Sequence, residues 1–317
     1  MKRLLAAAAV VLAVAAWCFL SAPARAAGIV PGDVSAEAKW LLHIDLDALR
    51  DSKIGEHVRA HALESGRVKQ ELEKVHDELG IDVEKDVHGA TLYGADFAQH
   101  SGVLILYAAA DKEKVVRYLS DKPDFTASKT DNGIDLYTWQ ANAGAGNKKA
   151  VWAAFPKAGV GVLADSAEPV KAALAVIGGK GGLSSSSPLL GDAPKGTILR
   201  GALVGVAAQL PIQSPLAKQI DDIHLAIGES DGEDFVKIKV HATNGEAATQ
   251  MKSLADGFAG MLRLQSDEKH PELQKLLKGL KISSEGKDVS IDWSEPSDEL
   301  IKIGEQIREK AKQGRTE

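Results

Sequence analysis

Short stretches of the chain alternate apolar and polar residues, which is the pattern of half-buried β-strands. In the first of these stretches Trp40, Leu42 and Ile44 alternate with His43 and Asp45. We expect the three apolar side chains to face the interior and His43 and Asp45 to face water. Further strands are predicted over residues 87–93, 103–109, 197–206, 223–227 and 235–241.

Apolar residues spaced three and four apart predict helices between these strands. Asp47 stands at a helix N-cap position, and Ile54, Val58 and Ala62 recur at four-residue spacing after it. A second helix is predicted to end at Gly80, because glycine commonly ends helices. The remaining predicted helices cover residues 111–119, 166–177, 214–219, 246–264 and 271–277.

The order of these elements repeats along the chain. VLILYAAADKEKVVRYL resembles VKIKVHATNGEAATQMKSL. Each half also has a later predicted hairpin, KTDNGIDLYTWQ and SSEGKDVSIDWSE, and alignment of the two matches Trp139 with Trp293. This repetition indicates a tandem duplication. The predicted fold class is therefore α+β, with two similar halves whose antiparallel sheets are flanked by helices. A ferredoxin-like split β-α-β unit in each half is one model, and a single long curved sheet shared by both halves is the other.

The N-terminus has the pattern of a cleavable secretory signal. Basic Lys2 and Arg3 precede a long uncharged run, and Ala24 and Ala26 supply the small residues that signal peptidase needs. We expect cleavage after Ala26 and export to the periplasm or the extracellular space. The alternative is that the segment stays as a membrane anchor. The predicted organisation is a signal peptide over residues 1–26, a first α+β half over 27–180, a Gly/Ser/Pro-rich linker over 181–195 and a second half over 196–317.

Charge and cysteine content narrow the classes of function. The 38 basic and 44 acidic residues give a net charge of −6, and the predicted cleavage removes basic residues only. An acidic chain without a basic cluster lacks the surface that nucleic acid requires, so we predict no nucleic-acid partner. The single cysteine, Cys18, lies in the predicted signal, which excludes disulfides and cysteine metal sites from the mature chain.

Two longer phrases carry a resemblance to known sequences. AKWLLHIDLDALRDSKIGEHV and DELGIDVEKDVHGATLYG resemble an uncharacterised family of exported bacterial proteins with tandem α+β halves. The quoted motifs are strand patterns, caps and turns. The resemblance therefore implies export and the α+β fold, and it implies no activity.

One histidine pair has the spacing of a metal site. His57 and His61 are four residues apart on a predicted helix, and Glu64 lies one turn further on the same side. Zinc or copper accepts two imidazoles at this spacing with a carboxylate as the third ligand. Val58 occupies the position where zinc metalloproteases carry their general-base glutamate. The alternative is a solvated histidine pair beside the apolar stripe of the helix.

A second candidate metal site lies on the first predicted strand. His43, Asp45 and Asp47 form an H-x-D-x-D pattern, and strand alternation places all three on one face. A divalent cation accepts such ligands. The alternative is that Asp47 caps the next helix while His43 and Asp45 face water.

No other pattern carries chemistry. Ser184 to Ser187 lie outside a G-x-S-x-G motif, and Lys180 is followed by Gly181 where a phosphate-binding loop has serine or threonine. We therefore predict no catalytic residue and no cofactor. The predicted function is a non-enzymatic exported protein of the cell envelope that is structural or binds a protein, a peptide or an envelope component. The alternative is a metal-binding protein or metal-dependent enzyme that uses the N-terminal histidines.

Overall fold

A computed structural model describes residues 28–97, 101–142, 148–206, 215–266 and 271–313. The predicted signal peptide lies outside these residues. The chain divides into two compact units, the first made of Met1–Asp47 and His61–Leu190, the second of Ala48–Ala60 and Gly191–Glu317. The later boundary, at Leu190, falls inside the stretch predicted as a linker. Sequence reasoning did not predict that residues 48–60 belong with the second half of the chain.

The first unit contains an antiparallel sheet in the order β1-β2-β3-β7-β6-β5-β4. Its strands are β1 (Trp40–Asp45), β2 (Val87–Gly94), β3 (Val103–Ala108), β4 (Thr126–Lys129), β5 (Asp135–Asn142), β6 (Lys148–Lys157) and β7 (Val160–Ala164). Helices α1 (Leu46–Arg50) and α2 (Lys53–Glu64) each cross a boundary between the units. They are followed by α3 (Gly66–Leu79), α4 (Val83–Asp86), α5 (Lys112–Ser120) and α6 (Ala167–Ile177).

The central strand β3 of the first unit is covered on both faces of the sheet. Every residue of β3 is buried, as its uninterrupted apolar run suggests. On one face, Leu104 and Leu106 belong to a core cluster with Val115 and Leu119 of α5. On the other face, Tyr107 is buried as well, with 1% of its surface exposed. Polar residues that lie on this face are therefore shielded from water.

The second unit contains an antiparallel sheet in the order β8-β9-β10-β12-β11. A small core forms around Ala248, Met251 and Val289, where a helix packs on this sheet. The strands are β8 (Thr197–Val204), β9 (Ile220–Ser230), β10 (Glu233–Ala242), β11 (Leu280–Glu285) and β12 (Asp288–Pro296), and the helices are α7 (Gly245–Gln265), α8 (Pro271–Lys278) and α9 (Ser297–Gln313).

The predicted α+β class with antiparallel sheets and flanking helices is confirmed. The strand order differs from a ferredoxin-like split unit, because the first three strands of each unit are sequential neighbours. Both units contain three such strands and, after a helical segment, a hairpin whose last strand pairs with the third strand. In the first unit β7 pairs with β3, and in the second unit β12 pairs with β10. Trp139 lies on β5 and Trp293 on β12, which pairs directly with β10, so the predicted equivalence of these tryptophans is wrong.

Local signals account for several element boundaries. Gly80 ends α3 with a φ of 69°, a left-handed conformation that glycine adopts without strain. Asp111 caps α5 by accepting a hydrogen bond from the Lys114 amide. Asp231 and Gly232 both have positive φ in the tight turn between β9 and β10. Within the described residues, no helix combines the length and apolar character needed to cross a membrane.

Candidate metal centre

Two helices bring together three side chains that can ligate a metal ion. His57 and His61 lie one turn apart on α2, and Glu305 lies on α9. Each offers one ligand atom, and the three atoms lie within 4.8 Å of one another. His57 and Glu305 belong to the second unit, whose boundary falls within α2 after Ala60, and the same helix continues through His61. We call these three residues the His-His-Glu cluster.

Contacts at the start of α2 fix the position of this helix. The Ile54 amide donates a hydrogen bond to Glu229 Oε2 at 3.1 Å, which satisfies one of the unpaired amides of the first helical turn. Lys53 forms an ion pair with Asp298 of α9 at 3.0 Å. Gly55 allows α2 to approach the end of α1, because a Cβ there would overlap the Leu49 carbonyl oxygen. The N-terminal turn of α2 is therefore held against β9 and α9.

The geometry of the cluster suits a small transition-metal ion after modest side-chain adjustment. Tetrahedral zinc with ligand bonds of about 2.0–2.1 Å places its ligand atoms about 3.4 Å apart. The largest separation permitted by the observed 4.8 Å limit exceeds this spacing by little more than 1 Å. Glu305 is exposed and both histidines are partly exposed, so rotation of these side chains can close the difference. Three protein ligands leave the fourth position of a tetrahedron open for water or another ligand.

The structure places a different carboxylate beside the histidines than the sequence predicted. Glu64 ends α2, and the carboxylate in the cluster belongs to Glu305. Sequence reasoning missed Glu305 because it did not predict α9. The signal for that helix is present in the spacing of Leu300, Ile303 and Ile307, three and four residues apart.

His43 and Asp45 are buried and Leu42 on the opposite face of β1 is 41% exposed, so the predicted orientation of this strand is wrong. The two polar side chains are 3% and 8% exposed, respectively. His43 Nδ1 shares a 2.8 Å hydrogen bond with Thr91 Oγ1, and Asp45 Oδ2 accepts a 3.1 Å hydrogen bond from the Gly28 amide. Among the described residues, the His-His-Glu cluster is the group of three or more potential ligands close enough to share an ion. The proposed metal-binding role of His43 and Asp45 therefore has no third ligand in this part of the chain.

Asp47 contacts a histidine that sequence reasoning did not single out. It lies in the first turn of α1, and its carboxylate is 3.0 Å from His88 Nδ1. Both side chains are largely buried, with 16% of His88 and 30% of Asp47 exposed. This pair links α1 to β2 and accounts for Asp47 without a metal ion.

The first unit also buries a polar group that we call the Asp33 cluster, formed by Asp33, Tyr107 and Lys157. Asp33 is 4% exposed and accepts hydrogen bonds from the Tyr107 hydroxyl at 3.4 Å and from Lys157 Nζ at 2.9 Å. Burial and the Asp33 charge raise the pKa of Tyr107, and they raise the pKa of Tyr93 to about 12. The tyrosines are therefore neutral at physiological pH and act as hydrogen-bonding core residues.

The second unit buries Asp234 beneath the start of α9. This residue is 7% exposed and Ser297, the first residue of α9, is fully buried. Among the described residues, Asp234 Oδ2 and Ser297 Oγ have no hydrogen-bond partner. Burial raises the pKa of Asp234 to about 6; the nearby Ser297 hydroxyl opposes this rise, and the charge of Glu229 on the neighbouring strand adds to it.

An apolar stripe on α7 is a further surface feature. Leu254, Phe258 and Met261 are between 45% and 62% exposed and lie at helical spacing on one side. Nothing in the described part of the chain covers this stripe.

Comparison with known proteins gives a similarity of chain path only. No family model and no curated protein sequence matches the chain. Crystal form III of TP0453 matches with a TM-score of 0.47 and 12% identity over 87% of this chain and 98% of that chain. Crystal form IV of TP0453 matches with a TM-score of 0.47 and 13% identity over 89% and 99% of the two chains. These values carry no conclusion about ligands, activity or export.

Proposed function

We propose that this protein binds a divalent transition-metal ion, with zinc or copper as the best candidates, through His57, His61 and Glu305. The observation that carries the proposal is the convergence of three ligand atoms within 4.8 Å from two helices. Imidazole and carboxylate are suitable ligands for both metals.

The proposal concerns binding and not hydrolysis. A helical zinc protease supplies a glutamate directly after its first histidine as the general base, and this chain has Val58 there. Val58 is 55% exposed and cannot accept a proton. The open fourth position can then be filled by water or by a ligand from a partner, and α2 lacks the general base that those proteases place directly after the first histidine.

Thermal unfolding of tag-free protein tests the proposal. Zinc at a hundred times its dissociation constant is expected to add about 2.7 kcal/mol to the free energy of unfolding. His57→Ala, His61→Ala and Glu305→Ala should each remove that gain and, without metal, change stability by no more than about 0.5 kcal/mol, because they are surface substitutions. His76→Ala is the matched control, since His76 is an exposed histidine on the neighbouring helix α3.

Isothermal titration with zinc and with copper measures the same site directly. We expect one ion per chain in the unmodified protein and in His76→Ala. An equal response to metal in His57→Ala and in the unmodified protein would exclude the His-His-Glu cluster. No uptake of either metal would reject the proposed function.

We also propose that the protein is exported, on the basis of the signal pattern in residues 1–26. Cleavage after Ala26 gives a mature chain that begins at Ala27. N-terminal sequencing of protein from the envelope fraction should therefore read Ala-Gly-Ile-Val. A chain that still begins at Met1 in the membrane pellet would support the anchor alternative.

A further inference from the structure

The two halves of α9 differ in how they are packed. In the first half Ser297 is fully buried and Ile303 is 3% exposed, so this part is fixed against the unit. In the second half every described side chain from Glu305 to Glu309 is exposed, and Ile307 is 49% exposed. A helical segment with few buried apolar contacts opens at low free energy.

Gly304 lies at the point where the packing changes. Glycine in a helix interior is destabilising by about 1 kcal/mol relative to alanine, since its backbone loses more conformational freedom. A Cβ at this position would meet nothing within 4 Å, so close packing does not explain the glycine. The helix is therefore weakest immediately before Glu305.

The His-His-Glu cluster spans from the fixed part of the structure to this exposed segment. The start of α2 is held by Glu229 and Asp298, as described above, and His57 follows Lys53 by one helical turn. Glu305 is the first side chain after Gly304. An ion that binds all three ligands would connect the anchored helix α2 to the exposed half of α9.

We propose that metal binding fastens the second half of α9 to α2, and that this C-terminal segment opens when the metal is lost. The inference rests on the proposed function and adds a consequence for the chain. A ligand that binds one conformation better than another shifts the equilibrium by its difference in affinity. The complete ligand set exists only when the second half of α9 is in place, so metal must favour the closed conformation.

Hydrogen exchange of the full mature chain tests the inference, with peptides followed by mass spectrometry after EDTA treatment and after zinc addition. Zinc at a hundred times its dissociation constant should slow exchange of the amides over residues 305–313 by at least about tenfold. Peptides from α7 serve as an internal reference and should change little. A general slowing that affects α7 as much as α9 would overturn the inference.

Variants separate this inference from the proposed function. Glu305→Gln should lose the zinc-dependent protection of α9 while His57 and His61 retain weaker zinc uptake in titration. Glu309→Gln is the matched control, because Glu309 lies one turn further along the same exposed face. It should keep both zinc uptake and protection.

The possible failures are distinguishable. Zinc uptake at the cluster without protection of residues 305–313 would leave the proposed function standing and overturn the fastening of α9. Equal protection in Glu305→Gln and in the unmodified chain would overturn it as well. Absence of zinc uptake in the unmodified chain would overturn both proposals at once.

Discussion

Asp33 in the first unit and Asp234 in the second are buried to a similar degree, 4% and 7% exposed, yet their surroundings differ. Asp33 faces a lysine ammonium at 2.9 Å and a tyrosine hydroxyl. Asp234 faces the carboxylate strand neighbour Glu229, and its Oδ2 atom has no hydrogen-bond partner in the described part of the chain. Because a buried charge is tolerated only when it is paired, the first carboxylate is compensated in its charged form and the second is not.

The same contrast separates buried polar residues with a structural role from polar residues at the surface. Inside the first unit, Asp33 accepts hydrogen bonds from Tyr107 and Lys157, and His43 shares one with Thr91. The His-His-Glu cluster lies at the surface, with an exposed carboxylate and two partly exposed imidazoles. Ligands that exchange with solvent need this second kind of environment.

The largest expected effect on stability comes from removing the cation that pairs with Asp33 in the first unit. Lys157→Met removes the cation and leaves the Asp33 carboxylate buried without its ion-pair partner. Loss of one partner from a fully buried pair costs about 3–5 kcal/mol. The Lys157 side chain is 48% exposed, which places the expected loss near the lower end, at about 3 kcal/mol. Denaturant unfolding at neutral pH measures it.

Two further variants test whether the loss of stability comes from the unpaired Asp33 charge. Lys148→Met, an exposed lysine at the other end of β6, should change stability by no more than about 0.5 kcal/mol. The double variant Lys157→Met with Asp33→Asn removes both charges and should recover part of the loss. Equal stability of the two single lysine variants would show that the Asp33 cluster is not compensated in the way described.

The sequence predicted the strands and helices that carry these polar residues better than it predicted the residues that they contact. Alternation along β1 separates its two faces but assigns them the wrong way round, because Leu41, His43 and Asp45 are buried whereas Leu42 is 41% exposed. Thr91, the partner of His43, is 48 residues away in the chain. The α2 histidines were predicted from their spacing, whereas Glu305 required a tertiary contact between distant helices. Local patterns specify strands, caps and turns, and contacts distant in sequence complete each polar site.

A smaller effect on stability is expected from Asp234 in the second unit. The pKa of Asp234 is raised to about 6 from 3.8, so the folded state disfavours the ionised carboxylate. The destabilising contribution is therefore complete above about pH 6 and absent below about pH 3.8, where the side chain is protonated in both states.

Asp234→Asn should stabilise the protein by about 2 kcal/mol at pH 7.5, since one unit of pKa shift corresponds to about 1.4 kcal/mol and the amide replaces the acid imperfectly. The gain should shrink between pH 6 and pH 4 and turn into a loss of about 1 kcal/mol at about pH 3.5, where only the imperfect replacement of the acid by the amide remains. Denaturant unfolding at these pH values measures it, with Glu233→Gln as the exposed control on the same strand. A gain that is independent of pH, or a loss at neutral pH, would mean that Asp234 is compensated by an interaction with the start of α9, and the contrast with Asp33 would no longer hold.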